Sequence, residues 1–201
     1  MELGAAGATS QPNAVTGLFV AVVGPSGAGK DALIRGLSTR LGEAEGVRYA
    51  RRVVTRDADA HEDHDTLAEG DFAAARAGGR FALTWAAHDL HYGVPREIEA
   101  HLAASGVVVC NVSRGIVDEV RRRYARSLVV LVTARPETLA ARLAARGRDD
   151  DASRRKRLNR GAALEDAFAP DATIDNDGAL DDAVARFQAL ILAHRASPFS
   201  P

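Results

Sequence analysis

The stretch 22-VVGPSGAGKDALIRGL-37 decides the fold. Gly24, Pro25, Ser26, Gly27, Ala28, Gly29 and Lys30 follow the template G-x-x-x-x-G-K-[ST], and Asp31 then stands where the template asks for a hydroxyl. In that template the glycines let successive backbone N–H groups turn toward an anion, the next helix adds its positive end, and the lysine adds a full charge at the outer phosphates. Such a loop is credible only between a buried strand and an amphipathic helix. Both flanks are present: 18-LFVAVV-23 is a short uncharged run, and 30-KDALIRGLSTRL-41 carries Leu33, Leu37 and Leu41 at i, i+4 and i+8. A glycine-rich turn ahead of an ordinary helix is the plain alternative, and it leaves the agreement of loop, strand and helix unexplained.

Working outward, 107-VVVCNV-112 and 127-SLVVLVTA-134 are further apolar runs of the kind that strands buried on both faces show, and 173-TIDN-176 is a weaker strand. Helical patterns lie at 114-RGIVDEVRRRYA-125 and at 136-PETLAARLAARG-147, which opens on proline and closes on glycine, and a last helix runs from about Leu180 to His194. Strands alternating with helices predict crossover units, hence an α/β three-layer P-loop NTPase fold with a parallel sheet flanked by helices. From Tyr49 to Pro95 the character changes. There 51-RRVVTRDADAHEDHDT-66 passes from a strand-like start into a charged loop, and 81-FALTWAAHDLHYGVP-95 carries Phe81, Trp85 and Tyr92 among histidines. These residues are expected on irregular connections, where a scaffold positions side chains to read a small molecule.

A chain of 201 residues suffices for one well-buried domain, expected over 18–195 between a disordered tail at 1–17 and a C-terminal tail at 196–201. A formal charge of −1 with 26% charged residues gives no basic surplus for a nucleic-acid or membrane surface, so any positive site is local. Cys110 is the single cysteine, which excludes an internal disulfide and fits a reducing compartment. The N-terminal stretch has neither a basic leader nor an apolar core, and no run approaches the roughly 18 apolar residues of a spanning helix. The expectation is a cytoplasmic protein with small-molecule partners, a homodimer being left open.

The motifs together resemble P-loop kinases of the guanylate-kinase type. After 24-GPSGAGKD-31, 52-RVVTR-56 is similar to that family's S-x-T-T-R segment, whose arginine grips the acceptor phosphate, and 84-TWAAHDLHYG-93 is similar to its E-x-A-x-x-x-x-x-Y-G segment. Further on, 146-RGR-148 and 154-RRKRL-158 occupy the place of the arginine-bearing lid and the helix after it, and 174-IDNDG-178 resembles the segment near the adenine. The resemblance runs from Leu18 to about His194. Three departures qualify it. Asn111 and Ser113 in 107-VVVCNVSRG-115 replace the aspartate that reads guanine, Thr84 replaces a glutamate, and Asp31 replaces a serine or threonine. GKD, 87-AHDLHYGVP-95 and 111-NVSR-114 in combination resemble the ribose 1,5-bisphosphate phosphokinases, which make 5-phosphoribosyl diphosphate from ATP and ribose 1,5-bisphosphate within phosphonate breakdown. This resemblance implies a guanylate-kinase-like fold with a small acceptor-binding region and an arginine lid, ATP as donor and magnesium as its companion ion. Two rivals stand beside it. A guanylate-type nucleoside-monophosphate kinase lacks support because the base-reading aspartate is missing, and a silent binding module has no use for an intact Gly29–Lys30 cradle.

Moving a phosphoryl group onto another phosphate needs alignment and charge neutralisation, and no general base, because the acceptor oxygen is already anionic. Lys30 and the arginines therefore carry the expectation. Arg146, Arg148 and Arg157 are read as a closing lid, although 142-RLAARGRDDDASRRKR-157 is charged enough to be an ordinary solvated helix–loop–helix. Arg56 and Arg52 are acceptor-phosphate candidates, since guanidinium pairs bidentately with phosphate oxygens. Asp31 is either a first-turn acid, favoured by the helix dipole by about 0.3–1 kcal/mol, or a magnesium ligand acting directly or through water. The metal role is preferred, because a carboxylate beside a triphosphate is repelled unless a cation lies between them. His88, His91, Tyr92, Asn111 and Ser113 are acceptor-site candidates. The pairs His88/His91 and His61/His64 lack the cysteine or third histidine of a zinc site. Asn176 is read as an adenine contact or as part of an N-D-G turn, and Trp85 as core or pocket wall.

Overall fold

Every side chain of β1 (Leu18–Val23) is buried, and its two faces feed two separate cores. The computed structural model describes residues 16–57, 64–87, 89–145 and 168–197. Leu18, Val20 and Val22 pack on one side with Leu33 and Leu37 of α1 (Lys30–Ser38) and with Phe187 and Ile191 of α6 (Leu180–Ala196). Phe19, Ala21 and Val23 pack on the other with Leu102 of α3 (Ile98–Ala103) and Val117 and Val120 of α4 (Val117–Arg123). A strand's side chains alternate between faces, so a strand that is apolar at every position can serve two layers of helices. Each Val, Leu or Phe side chain among them contributes about 1.5–3 kcal/mol by leaving water.

The main sheet has the order β2 (Val47–Tyr49), β7 (Val107–Asn111), β1, β8 (Ser127–Thr133) and β9 (Ala172–Asp175), with every neighbouring pair parallel. Helices on both faces complete three layers, as predicted. α5 (Pro136–Ala145) begins at its proline. The predicted helix from 114 starts instead as a 3-10 turn, Arg114–Ile116, ahead of α4, and α6 runs on to Ala196. The carboxyl ends of β1, β7 and β2 open beside the N-terminus of α1, and a crevice at such ends is where open α/β sheets hold ligands.

A second sheet departs from expectation. Its order is β4 (His64–Thr66), β3 (Arg52–Val54), β6 (Leu90–Pro95) and β5 (Phe81–Ala87), so 81-FALTWAAHDLHYGVP-95, expected on irregular connections, is largely strand. β5 and β6 form a hairpin in which Trp85 pairs with Tyr92, and Asp89 takes φ 59 near its turn, a conformation that Asp tolerates better than most residues. One face of this sheet packs on α2 (Glu69–Ala77), where Phe72 stacks on Phe81 at 4.8 Å. Its other face carries Trp85, Tyr92 and Arg52. Aromatic and polar residues mixed on two half-covered faces blur the period of two that announces a strand.

Candidate active site

Two glycines of the loop have no substitute. Gly24 takes φ 148, and a Cβ there would lie 2.1 Å from the Val132 carbonyl oxygen; Gly29 takes φ 84, and its Cβ would lie 2.4 Å from Asn176 Nδ2. Lys30 Nζ donates to the carbonyls of Gly24 and Pro25, each at 2.9 Å, so the ammonium folds back over the loop that precedes it. Asn176, at the end of β9 and only 3% exposed, donates through Nδ2 to the Ala28 carbonyl at 2.8 Å. Its own carbonyl accepts from Arg142 Nη2 at 2.9 Å. The amide of Asn176 thus braces the loop from the sheet side. Arg142 was not singled out from sequence, and its one signal there is a place four residues before Arg146 on a helical pattern.

Beside the loop, two of the three sequence departures meet. Asn111 Nδ2 donates to Asp31 Oδ1 at 2.7 Å, and Arg52 Nη2 lies 3.8 Å from the same oxygen. The Arg52 guanidinium sits 6.0 Å from the Tyr92 ring centroid, and Tyr92 stacks on Trp85 at 5.2 Å with 3° between the planes. A continuous path therefore runs from α1 through Asp31 and Arg52 into the second sheet. Thr84, the third departure, pairs with Gly93 and alternates with Trp85 along β5, so its side chain leaves from the other face. Asp31, Ile34, Arg35, Ser38, Tyr49, Ala50, Arg51, Arg52 and Asn111 line an open cleft. Of these, sequence reasoning had named Asp31, Arg52 and Asn111 with a role in it.

The remaining candidates divide. Tyr92 shares the Arg52 face, whereas His91 lies on the opposite face, 5.7 Å from the Phe72 ring. The carbonyl of Arg56 accepts from Thr66 Oγ1 at 3.0 Å and from the Nε2–H of buried His64 at 3.0 Å, which anchors the backbone from which that arginine projects. Ser113 Oγ accepts from the Gly115 N–H at 3.3 Å and caps the 3-10 turn. His61, His88, Arg146, Arg148 and Arg157 lie outside the described residues. Beneath Asn111, burial pushes the Cys110 thiol up to about 12, with Arg52 opposing and Asp31 reinforcing the shift. Burial, followed by Glu45, raises the Tyr49 hydroxyl above its ordinary range; that hydroxyl donates to the Leu41 carbonyl at 2.7 Å.

Among the described residues no group of three or more His, Cys, Asp or Glu side chains could hold a metal. A magnesium ion needs no such cage, because one carboxylate together with substrate phosphates and waters suffices. Asp31 fits that part: it opens α1 next to the phosphate loop, and its carboxylate has acceptor sites beyond the one given to Asn111.

A family model described as an AAA domain matches residues 20–161. A ribose 1,5-bisphosphate phosphokinase from Rhodopseudomonas palustris is 47% identical over 162 residues, 81% of each chain. Another from Brucella melitensis is 44% identical over 169 residues, 84% of this chain and 88% of that one. A guanylate kinase from Anaplasma phagocytophilum superposes with a TM-score of 0.69 at 18% identity, over 90% of this chain and 88% of its own. That likeness establishes a guanylate-kinase-like fold.

Proposed function

The chain belongs to the ribose 1,5-bisphosphate phosphokinase family, and on that premise we propose that it transfers the γ-phosphoryl group of ATP to the 1-phosphate of ribose 1,5-bisphosphate. The products are 5-phosphoribosyl 1-diphosphate and ADP, made in the cytoplasm within phosphonate breakdown. The observation that carries this reading is the meeting of Asp31, Asn111 and Arg52 in one cleft at the mouth of the phosphate loop. The Asn111 amide, which both donates and accepts, suits sugar hydroxyls, and the Asp31 carboxylate beside it suits a cation.

In the reaction an oxygen of the acceptor's 1-phosphate attacks the γ-phosphorus while the bond to the β–γ bridging oxygen breaks, and ADP leaves with that electron pair. No proton has to move at the attacking atom. The loop N–H groups and Lys30, released from the Gly24 and Pro25 carbonyls, offset charge on the donor phosphates. Asn176 keeps the loop in shape through Ala28, Arg52 and Arg56 orient the acceptor, and the arginines at 146, 148 and 157 close over both. Magnesium held by Asp31 would shield the phosphate charges.

The test is ADP release from magnesium-ATP with ribose 1,5-bisphosphate, GMP, dGMP and AMP as acceptors. Turnover is expected on the sugar bisphosphate, and faster turnover on GMP overturns the proposal.

A further inference from the structure

The cleft extends past Asp31 along a face of α1 whose other residues carry no role in the sequence reading. Asp31, Ile34, Arg35 and Ser38 are spaced i, i+3, i+4 and i+7, so they form one stripe of the helix. The stripe spans about 10 Å at the rise of an α-helix. Past Asp31 the lining carries positive charge from Arg35 on α1 and from Arg51 just ahead of β3.

Most donors on the cleft wall are already committed. Asn111 donates to Asp31, Tyr49 to the Leu41 carbonyl, and Ser38 Oγ to the Arg35 carbonyl at 2.8 Å. Arg51 faces Asp65 at 3.0 Å, and Arg52 faces Asp31. Among the described residues Arg35 is the lining guanidinium that has no carboxylate. A guanidinium that lines a cleft about one helical turn from Asp31, without a carboxylate of its own, suits a second phosphate.

We infer that Arg35 binds the acceptor phosphate that is not extended, so that the cleft selects a bisphosphate by holding both ends of the sugar. This rests on the function proposed above and deepens it: Lys30 and Arg56 serve the reacting end, Asn111 the sugar, and Arg35 the distal phosphate.

Ribose 5-phosphate has only the distal phosphate and ribose 1-phosphate only the reacting one, so their inhibition constants against ribose 1,5-bisphosphate separate the two ends. Arg35→Ala is expected to weaken inhibition by ribose 5-phosphate on the order of 10–100-fold, the worth of hydrogen bonds to a charged group, and to leave inhibition by ribose 1-phosphate unchanged. Arg35→Lys should recover part of the loss, and Arg35→Gln should behave like the alanine variant. Because Arg35 is exposed and makes no ion pair among the described residues, the unfolding temperature of all three should match that of the unaltered chain. Equal weakening of both inhibitors, no change for ribose 5-phosphate, or no inhibition by it of the unaltered chain overturns the inference alone. Absence of turnover on ribose 1,5-bisphosphate by the unaltered chain overturns the proposed function, and the inference falls with it.

Discussion

β1 of the main sheet offers six consecutive buried residues, whereas β3 of the second sheet offers two, Val53 and Val54, after a half-buried Arg52 that reaches out toward Asp31. The two regions solve different recognition problems. The phosphate loop continues directly from β1 and presents backbone groups, so its geometry depends on glycines and on the strand beneath them. The cleft proposed for the acceptor is assembled from side chains of α1, the end of β2 and the segment after it, β3 and the end of β7. A backbone cradle suits a donor recognised by its phosphates, and a side-chain cleft suits an acceptor recognised by its shape and hydroxyls.

Substitutions should separate the two regions, beginning with the most damaging. Lys30→Ala removes the loop's one full positive charge and is expected to lower turnover by about 10³-fold or more, comparable with losing a main charge-stabilising donor, as read by ADP release. Gly24→Ala should cost about 1–3 kcal/mol for the unfavourable φ alone, and the approach to Val132 adds to it; urea unfolding would record this as a lower midpoint. Should that variant match the unaltered chain in both midpoint and ATP affinity, the strand-to-loop coupling described here is wrong. Asp31→Asn keeps the shape of the side chain and loses its charge, so the magnesium concentration for half-maximal rate should rise about tenfold, as for loss of one charge-assisted contact. An unaltered magnesium dependence would remove the metal role of Asp31 while leaving its pairing with Asn111 intact.

A smaller effect is expected on the second sheet. Tyr92→Leu deletes a cation–π contact of about 0.5–1 kcal/mol, so KM for the acceptor should rise two- to fivefold at most while KM for ATP stays constant. A parallel rise in both would show that the two regions do not separate. Smallest of all, the Cys110 thiol should resist alkylation at pH 8 in the folded chain and react on unfolding, because burial keeps it protonated up to about 12.

The legibility of these regions differs for the same reason as their function. β1, β7 and β8 are covered on both faces and read as unbroken apolar runs, and Gly24 to Lys30 are read together because the chemistry they serve is local. β5 and β6 escaped the sequence because neither face is wholly apolar. His91 and Tyr92 are adjacent in sequence and had been assigned one role, yet strand alternation sends them to opposite faces, one to Phe72 and the other to Arg52. Arg35 and Tyr49 carried no signal at all, since an exposed arginine on a helix and a tyrosine at a strand end are ordinary features until something faces them.

The order of consecutive residues determined the buried strands, the crossover helices and the phosphate loop, because hydrophobic period and backbone freedom are properties of a short segment. Only the tertiary structure decided that Asp31 accepts from Asn111, 80 residues away, that Asn176 reaches back 148 residues to Ala28, and that Arg52 ties the second sheet to α1. Those contacts arise where the parallel strands end side by side, and the register that aligns β1 with β7 is set by the packing of the whole core rather than by either strand alone.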